Sequence, residues 1–324
     1  AIIYWFTIFP VVLIYGVSIT NTVDSFIVNQ LGGPEISRYI LAPLCVGLMT
    51  LALAFGNAIM LKIAQFVVYP LIVALAAVSL YLSPQWDLGS FMEAGDHTAG
   101  GVIKAIILIL PVLVFSFSFV AAISQFSLGM EKEYGADHHA QSDKVIRNSA
   151  ILLTVFTMFF VWSCALAMGA DGMEEANDKN LPVLSYFANE TGTPFMAYMA
   201  PIVVICAVAS SYFGHALGTI EGTQYLFNLA APKSTKKMSA RTLDLWTYLF
   251  IFIATSLVGI FNPSILDMIS VVGGVFFAFM TYLLPIWVIY RVDALARFRG
   301  KKTNYFVAVM GFICLLYTSP SPRD

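Results

Sequence analysis

Nine stretches of this chain, roughly residues 1–28, 39–56, 61–82, 101–130, 148–168, 194–230, 243–262, 265–290 and 304–317, run almost free of charge, and their succession limits the fold more than any motif. Each is continuously apolar rather than alternating every second residue, which fits helices that cross a bilayer and not the strands of an outer-membrane barrel. The bulk numbers agree: 59% of residues are hydrophobic, 11% are charged and the mean hydropathy is +0.81. Soluble domains carry about 25% charged residues. The expected class is therefore an all-α integral membrane protein, and a net charge of −2 gives no sign of nucleic-acid binding.

Orientation follows from Lys and Arg. With nine crossings, thirteen of the 17 basic residues fall on one side, including Lys62, Lys132, Lys144, Arg147, Arg241 and the group Arg291, Arg297, Arg299, Lys301 and Lys302. Only Arg38, Lys104, Lys179 and Arg323 fall on the other. This positive-inside bias predicts nine spans with the two ends on opposite faces, and merging or splitting a stretch destroys it. Cys45, Cys164, Cys206 and Cys314 lie at irregular spacing inside apolar stretches, so we read them as small core residues and expect no disulfide framework and no metal site. The chain opens inside an apolar stretch without Met or a basic leader, which suggests a missing N-terminal part; Thr318 to Asp324 reads as a non-native translated tail.

Polar residues inside the stretches mark the candidate sites. In the first, Ser18, Asn21, Thr22 and Ser25 recur at helical spacing, with Asp24 beside them toward the outer end. That stripe either lines a cavity or bonds neighbouring helices. The fourth stretch carries Pro111 and the alternation Phe115-Ser116-Phe117-Ser118-Phe119, where a helix either breaks or kinks. A break near the midplane frees backbone groups for ions and substrate termini. In the sixth, Ser210, Gly214, Gly218 and Gly222 form a smooth ridge for helix packing, and Ser211, His215 and Thr219 a polar ridge beside it. As a helix, residues 194–230 reach about 55 Å, more than a bilayer core, so the inner end projects beyond it. His215 is either a structural histidine or a proton-sensitive one, and Glu221 ends the span or packs against it. The adjacent His138-His139 pair lacks further ligands at metal spacing, and the Asn189-Glu190-Thr191 sequon means little without a secretory route.

Several of these residues carry a resemblance. Ile14-Tyr15-Gly16-Val17-Ser18-Ile19-Thr20-Asn21-Thr22-Val23-Asp24-Ser25-Phe26, Tyr81-Leu82-Ser83-Pro84-Gln85-Trp86, Val114-Phe115-Ser116-Phe117, Phe213-Gly214-His215 through Glu221-Gly222, and Asn262-Pro263-Ser264-Ile265-Leu266 occur in series. Together they resemble the bacterial hydroxy/aromatic amino acid permeases, in particular the serine/threonine branch, over about residues 1–313. The resemblance implies a LeuT-like, broken-helix, inverted-repeat transporter of the inner membrane, with eleven spans of which this chain would hold about nine, residues 1–317 forming one transporter domain without its first two spans. It departs from the family after Phe-Ser-Phe, where an Asn, a variable residue, Ser and Pro give way to Ser118, Phe119, Val120 and Ala121, removing an amide and a helix breaker.

What the resemblance implies is proton symport of a small, hydroxylated amino acid, serine or threonine, without a cofactor; an aromatic substrate or sodium coupling is the alternative. The candidate substrate-binding residues are Ser18, Asn21, Thr22, Ser116, Ser118, Ser211 and His215, with His215, Glu221 and Asp24 as candidates for proton coupling. A membrane-embedded enzyme using His215 is the remote alternative, for which no GxSxG, HExxH or paired-Asp motif is found.

Overall fold

The computed structural model of the chain describes residues 2–53, 57–93, 97–118, 120–190, 193–232 and 238–317. The tail 318–324 and the turn around Gly56 lie outside them. No strand occurs among the described residues. The main helices are α1 (Ile2–Ser25, continued as a wider π turn over Phe26–Gln30), α2 (Arg38–Leu53), α3 (Asn57–Leu82), α4 (Leu88–Glu93), α5 (Ala99–Ser116) and α6 (Val120–Tyr134). They are followed by α7 (His138–Asp178), α8 (Val183–Glu190), α9 (Pro194–Ala230), α10 (Ala240–Phe261), α11 (Ile265–Arg291, with π turns over Val272–Phe277 and Phe279–Leu283) and α12 (Lys302–Tyr317).

Among the described residues the apolar stretches fall on helix apart from the break at Phe117-Ser118, as expected where backbone N–H and C=O groups find no water. Among the described residues, seven helices are long and apolar enough to cross a membrane, and two shorter apolar ones, Arg38–Leu53 and Lys302–Leu316, accompany them. The short pair corresponds to stretches 39–56 and 304–317. At 16 residues α2 is about 24 Å long, below the roughly 30 Å of a hydrocarbon core.

The fourth stretch is broken. Helix α5 stops at Ser116, Phe117 leaves helical geometry (φ −104, ψ 11), and α6 begins at Val120. Helix α7 is long because two helices join across Gly169, whose φ of +66 suits a residue without Cβ. Beyond that kink, residues 170–178 run outside the apolar stretch. Ser239 and Ser264 cap α10 and α11 by accepting from the N–H groups of Thr242 and Asp267, and Asn262, left-handed at φ +49, ends α10.

The core is divided in two. One apolar cluster gathers residues of α1, α2, α3, α8, α9 and α10, with Leu41, Leu53, Leu82, Met196, Tyr212 and Ile251 nearly inaccessible. A smaller one joins Val11 and Ile14 of α1 to Val114 of α5, Val272 and Phe277 of α11 and Cys314 of α12. Tyr15 packs against both. Outside, large apolar side chains are exposed in helical rows such as Leu245, Leu249, Ile253 and Leu257 of α10. In water such rows would drive aggregation; against lipid tails they are at home.

Glycines set the closest approaches. Gly218 and Gly222 of α9 meet Tyr4, Ile8 and Trp5 of α1, and the Trp5 indole N–H donates to the Thr223 hydroxyl at 2.8 Å. Gly16 of α1 faces Thr255 of α10, and Gly273 of α11 faces the backbone carbonyl of Pro111 on α5, both too closely for a Cβ.

Candidate functional site

A group of polar side chains sits where α9 packs on α1. His215 is one turn beyond Ser211, and its Nδ1 lies 3.0 Å from the Ser211 carbonyl. A carbonyl only accepts, so Nδ1 carries the proton and, in the neutral ring, Nε2 is left as an acceptor. The Tyr15 ring stands edge-on to the imidazole with centroids 5.5 Å apart, and its hydroxyl lies beside the Ser211 side chain. One turn further, the buried Thr219 hydroxyl has no hydrogen-bond partner. Tyr212, fully buried, shares a 2.9 Å hydrogen bond with Thr50 of α2. These contacts gather an imidazole, a phenol and hydroxyls within an otherwise apolar interior.

The other end of α1 belongs to a different assembly. Asn21 donates to the Asn180 carbonyl at 2.8 Å and to Asn262 Oδ1 at 3.0 Å, and Thr22 accepts from Ser185 of α8 at 3.2 Å. Asn180, left-handed like Asn262, donates to the Pro263 carbonyl and accepts from the Ile265 N–H. Asp24 is half-buried and lines, with Asn21, Arg38, Lys179, Asn189 and Glu190, a polar cavity of about 640 Å³. Lys179, 2.6 Å from Glu175, is pushed above the usual lysine range by that bond, and the bond that the Tyr186 hydroxyl donates to Glu175 pushes Tyr186 up to about 12. Both groups therefore hold their protons at any physiological pH.

The break between α5 and α6 forms a third patch. Ser118 shares a 3.4 Å contact with Thr281 of α11, whereas Ser116 is exposed and donates to the Val112 carbonyl of its own helix. Tyr15 also packs on the apolar cluster to which Val114 of α5 belongs.

The candidates thus divide. Ser211 and His215 come together, joined by Tyr15. Ser18 is buried on α1 between them and Asn21, which stands about 9 Å along the helix from Tyr15. Asn21 bonds the turns at Asn180 and Asn262, Thr22 faces α8, Asp24 lines the polar cavity at that end, Ser118 faces α11, and Ser116 faces outward. Of the packing ridge, Gly218 and Gly222 abut α1 while Gly214 has open space beside it. Glu221 is exposed at the far end of α9, near Tyr4. In the sequence Tyr15 reads only as part of a motif, and Arg38, Asn180 and Asn189 do not stand out because residues of α2, the α7–α8 turn and α8 gather only when the chain folds. Asn before Pro at 262–263 was the available signal. No group of three metal-ligating side chains occurs among the described residues.

No family model matches the chain, and no solved structure matches it. Curated relatives do. The serine transporter SdaC of Escherichia coli K12 is 35% identical over 319 residues, covering 97% of this chain and 74% of the relative. The threonine/serine transporter TdcC of Yersinia enterocolitica is 35% identical over 334 residues, and that of Edwardsiella piscicida 34% over 339, each covering 97% of this chain and 75% of the relative. All are named as transporters, so the reading of His215 as the centre of a membrane enzyme falls away. With a third of the residues identical across nearly its whole length, the chain belongs to the hydroxy/aromatic amino acid permease family, in its serine/threonine branch.

Proposed function

We propose that this protein is a secondary active transporter that imports serine or threonine across the bacterial inner membrane together with a proton. The observation that carries the site is the meeting of Tyr15, Ser211 and His215 at the α1–α9 crossing. The relatives' names supply the solute class. In this reading the face with Asn21, Asn180 and Asn262 is outside, the Arg291–Lys302 face is inside, and the helices make nine crossings of the inverted-repeat type in a single domain, residues 1–317.

The roles follow from chemistry. Backbone groups freed around Phe117 take the charged termini of the amino acid, as broken helices do in transporters. Ser18, Ser118 and Ser211 offer hydroxyls to the substrate side chain. His215, with Nδ1 fixed on the Ser211 carbonyl, has one nitrogen free to gain and lose a proton as the solute arrives and leaves. Glu221, at the inner end of α9, is the second proton-sensitive candidate.

The test is uptake of labelled serine into proteoliposomes by the protein expressed from its complete gene. Uptake should rise with an inward proton gradient and stay indifferent to sodium, and His215→Ala should remove the response to the gradient. Uptake that ignores the gradient removes the proton, and uptake that requires sodium replaces it.

A further inference from the structure

The end of the bundle that carries Arg291 and Lys302 holds a groove of about 1160 Å³, with the start of α1 and the end of α9 on one side and α11 and α12 on the other. Its lining is apolar and aromatic apart from one cation, Arg291, and includes no carboxylate among the described residues. Ile2, Tyr225, Leu229, Trp287 and Phe312 within it are each at least half exposed, so the described residues leave it unfilled. Water is a poor filling for such walls, and in a bilayer the alternative is a lipid tail.

The dimensions suit one. From Phe279 to Arg291 the α11 wall runs about 18 Å, against roughly 15 Å for one leaflet's share of a hydrocarbon core. At the deep end Phe6 of α1 stacks on Phe276 of α11 with centroids 5.7 Å apart, which closes the groove there. Gly311 brings α12 against Tyr282 and Leu283 too closely for a Cβ, which seals the α11–α12 wall.

The shallow end is built for a headgroup. Trp287 and Tyr290 lie there, at the level where aromatic residues mark a membrane interface, and the Arg291 guanidinium stands 5.9 Å from the Trp287 ring centroid. Arg291 makes no ion pair among the described residues: Asp293, two positions on, is engaged by Arg299 at 3.1 Å. Of the other acids at this end, Glu221 lies off the lining near Tyr4, and Asp244 accepts from Gln224. Arg297, Lys301 and Lys302 add positive charge close by. A guanidinium at the mouth of an apolar slot fits a phosphate that carries an apolar tail. The ammonium of a zwitterionic headgroup would be repelled by these cations, whereas a net anionic headgroup would not.

We infer that the groove binds an anionic phospholipid, with the headgroup phosphate on Arg291 and one acyl chain laid between α11, α12 and the start of α1. The lipid bridges α1 and α9 to α11 and α12 across a gap that their own side chains leave open. Nothing in this site depends on which solute is carried.

The test reads the fluorescence of Trp287, taken as the difference between the protein from its complete gene and its Trp287→Phe variant. Both are reconstituted in phosphatidylcholine vesicles in which either phosphatidylglycerol or an equal share of the phosphatidylcholine is brominated on its chains. Phosphatidylglycerol should quench Trp287 about fivefold more effectively, the gain that one basic residue near a membrane surface supplies. Arg291→Gln, at an exposed position with no ion pair to lose, should bring the two lipids to parity while quenching at the other tryptophans stays unchanged. Arg297→Gln, off the lining, should keep most of the preference, and glycerol phosphate in the buffer should not compete. No preference in the unmodified protein, a preference that survives Arg291→Gln or falls equally with Arg297→Gln, or one that glycerol phosphate removes overturns the inference. So does a Trp287 that no brominated lipid quenches, because protein then fills the groove.

Discussion

The bundle is held at two seams by glycines that do different jobs. Along α1 and α9, Gly218 and Gly222 meet side chains: a Cβ at Gly218 would come 2.9 Å from the Tyr4 hydroxyl, and one at Gly222 3.0 Å from Trp5 Cδ1. Between α5 and α11, Gly273 meets the main chain of Pro111, and a Cβ there would overlap the carbonyl. Side chains turn aside, but a helix backbone moves only as a whole. The α1–α9 seam is therefore adjustable, while the α5–α11 seam fixes the register of the broken helix against a helix that is itself widened by π turns at Val272–Phe277.

Alanine at each glycine grades this contrast. The largest effect belongs to Gly273→Ala, where relief requires separating two helices; it should exceed the roughly 1–3 kcal/mol typical of an overpacked core and remove serine uptake. Purified yield, apparent unfolding temperature and uptake measure it. Gly222→Ala comes next, at about 1–3 kcal/mol, because Trp5 is held by its bond to Thr223 and by stacking on Phe9 with centroids 4.6 Å apart. Gly218→Ala should cost about 1 kcal/mol at most, since the nearest atom is the tip of a tyrosine. If Gly273→Ala proves no worse than Gly218→Ala, the two seams are alike and the argument for a fixed register fails.

Helix class and the positions of the apolar stretches were legible in the sequence because hydrophobicity alone encodes them: a run such as 243–262 needs no partner to declare itself. The break after Ser116 was legible as one of two alternatives. Pro111 and the Ser/Phe alternation allow either a kink or a stop, and it is the packing of α5 on Gly273 and the Ser118–Thr281 contact that accompany the stop. Tyr15 was hidden by its own ordinariness, since a tyrosine in an apolar run reads as core until His215 is seen against its ring. The cavity at the end of α1 was illegible for another reason. Arg38, Lys179, Asn189 and Asn262 come from four separate stretches of chain, and no periodicity links them.

The smallest effect in the series is also the one most able to sharpen the comparison. Ser210, Gly214, Gly218 and Gly222 share one spacing, so a sequence ridge predicts equal sensitivity at its glycines. The structure separates them: a Cβ at Gly214 meets nothing within 4 Å. With no contact to lose, the remaining term is the helix preference of Ala over Gly, about 0.5–1 kcal/mol in favour of the variant. Gly214→Ala should therefore raise the apparent unfolding temperature slightly. Gly214 also immediately precedes His215, and it is exposed on the surface of α9. A stabilised Gly214→Ala protein whose KM for serine rises while its fold is intact would assign the space beside it to the solute, whereas a destabilised one would mean that another helix closes on Gly214 and that the α1–α9 seam continues through it.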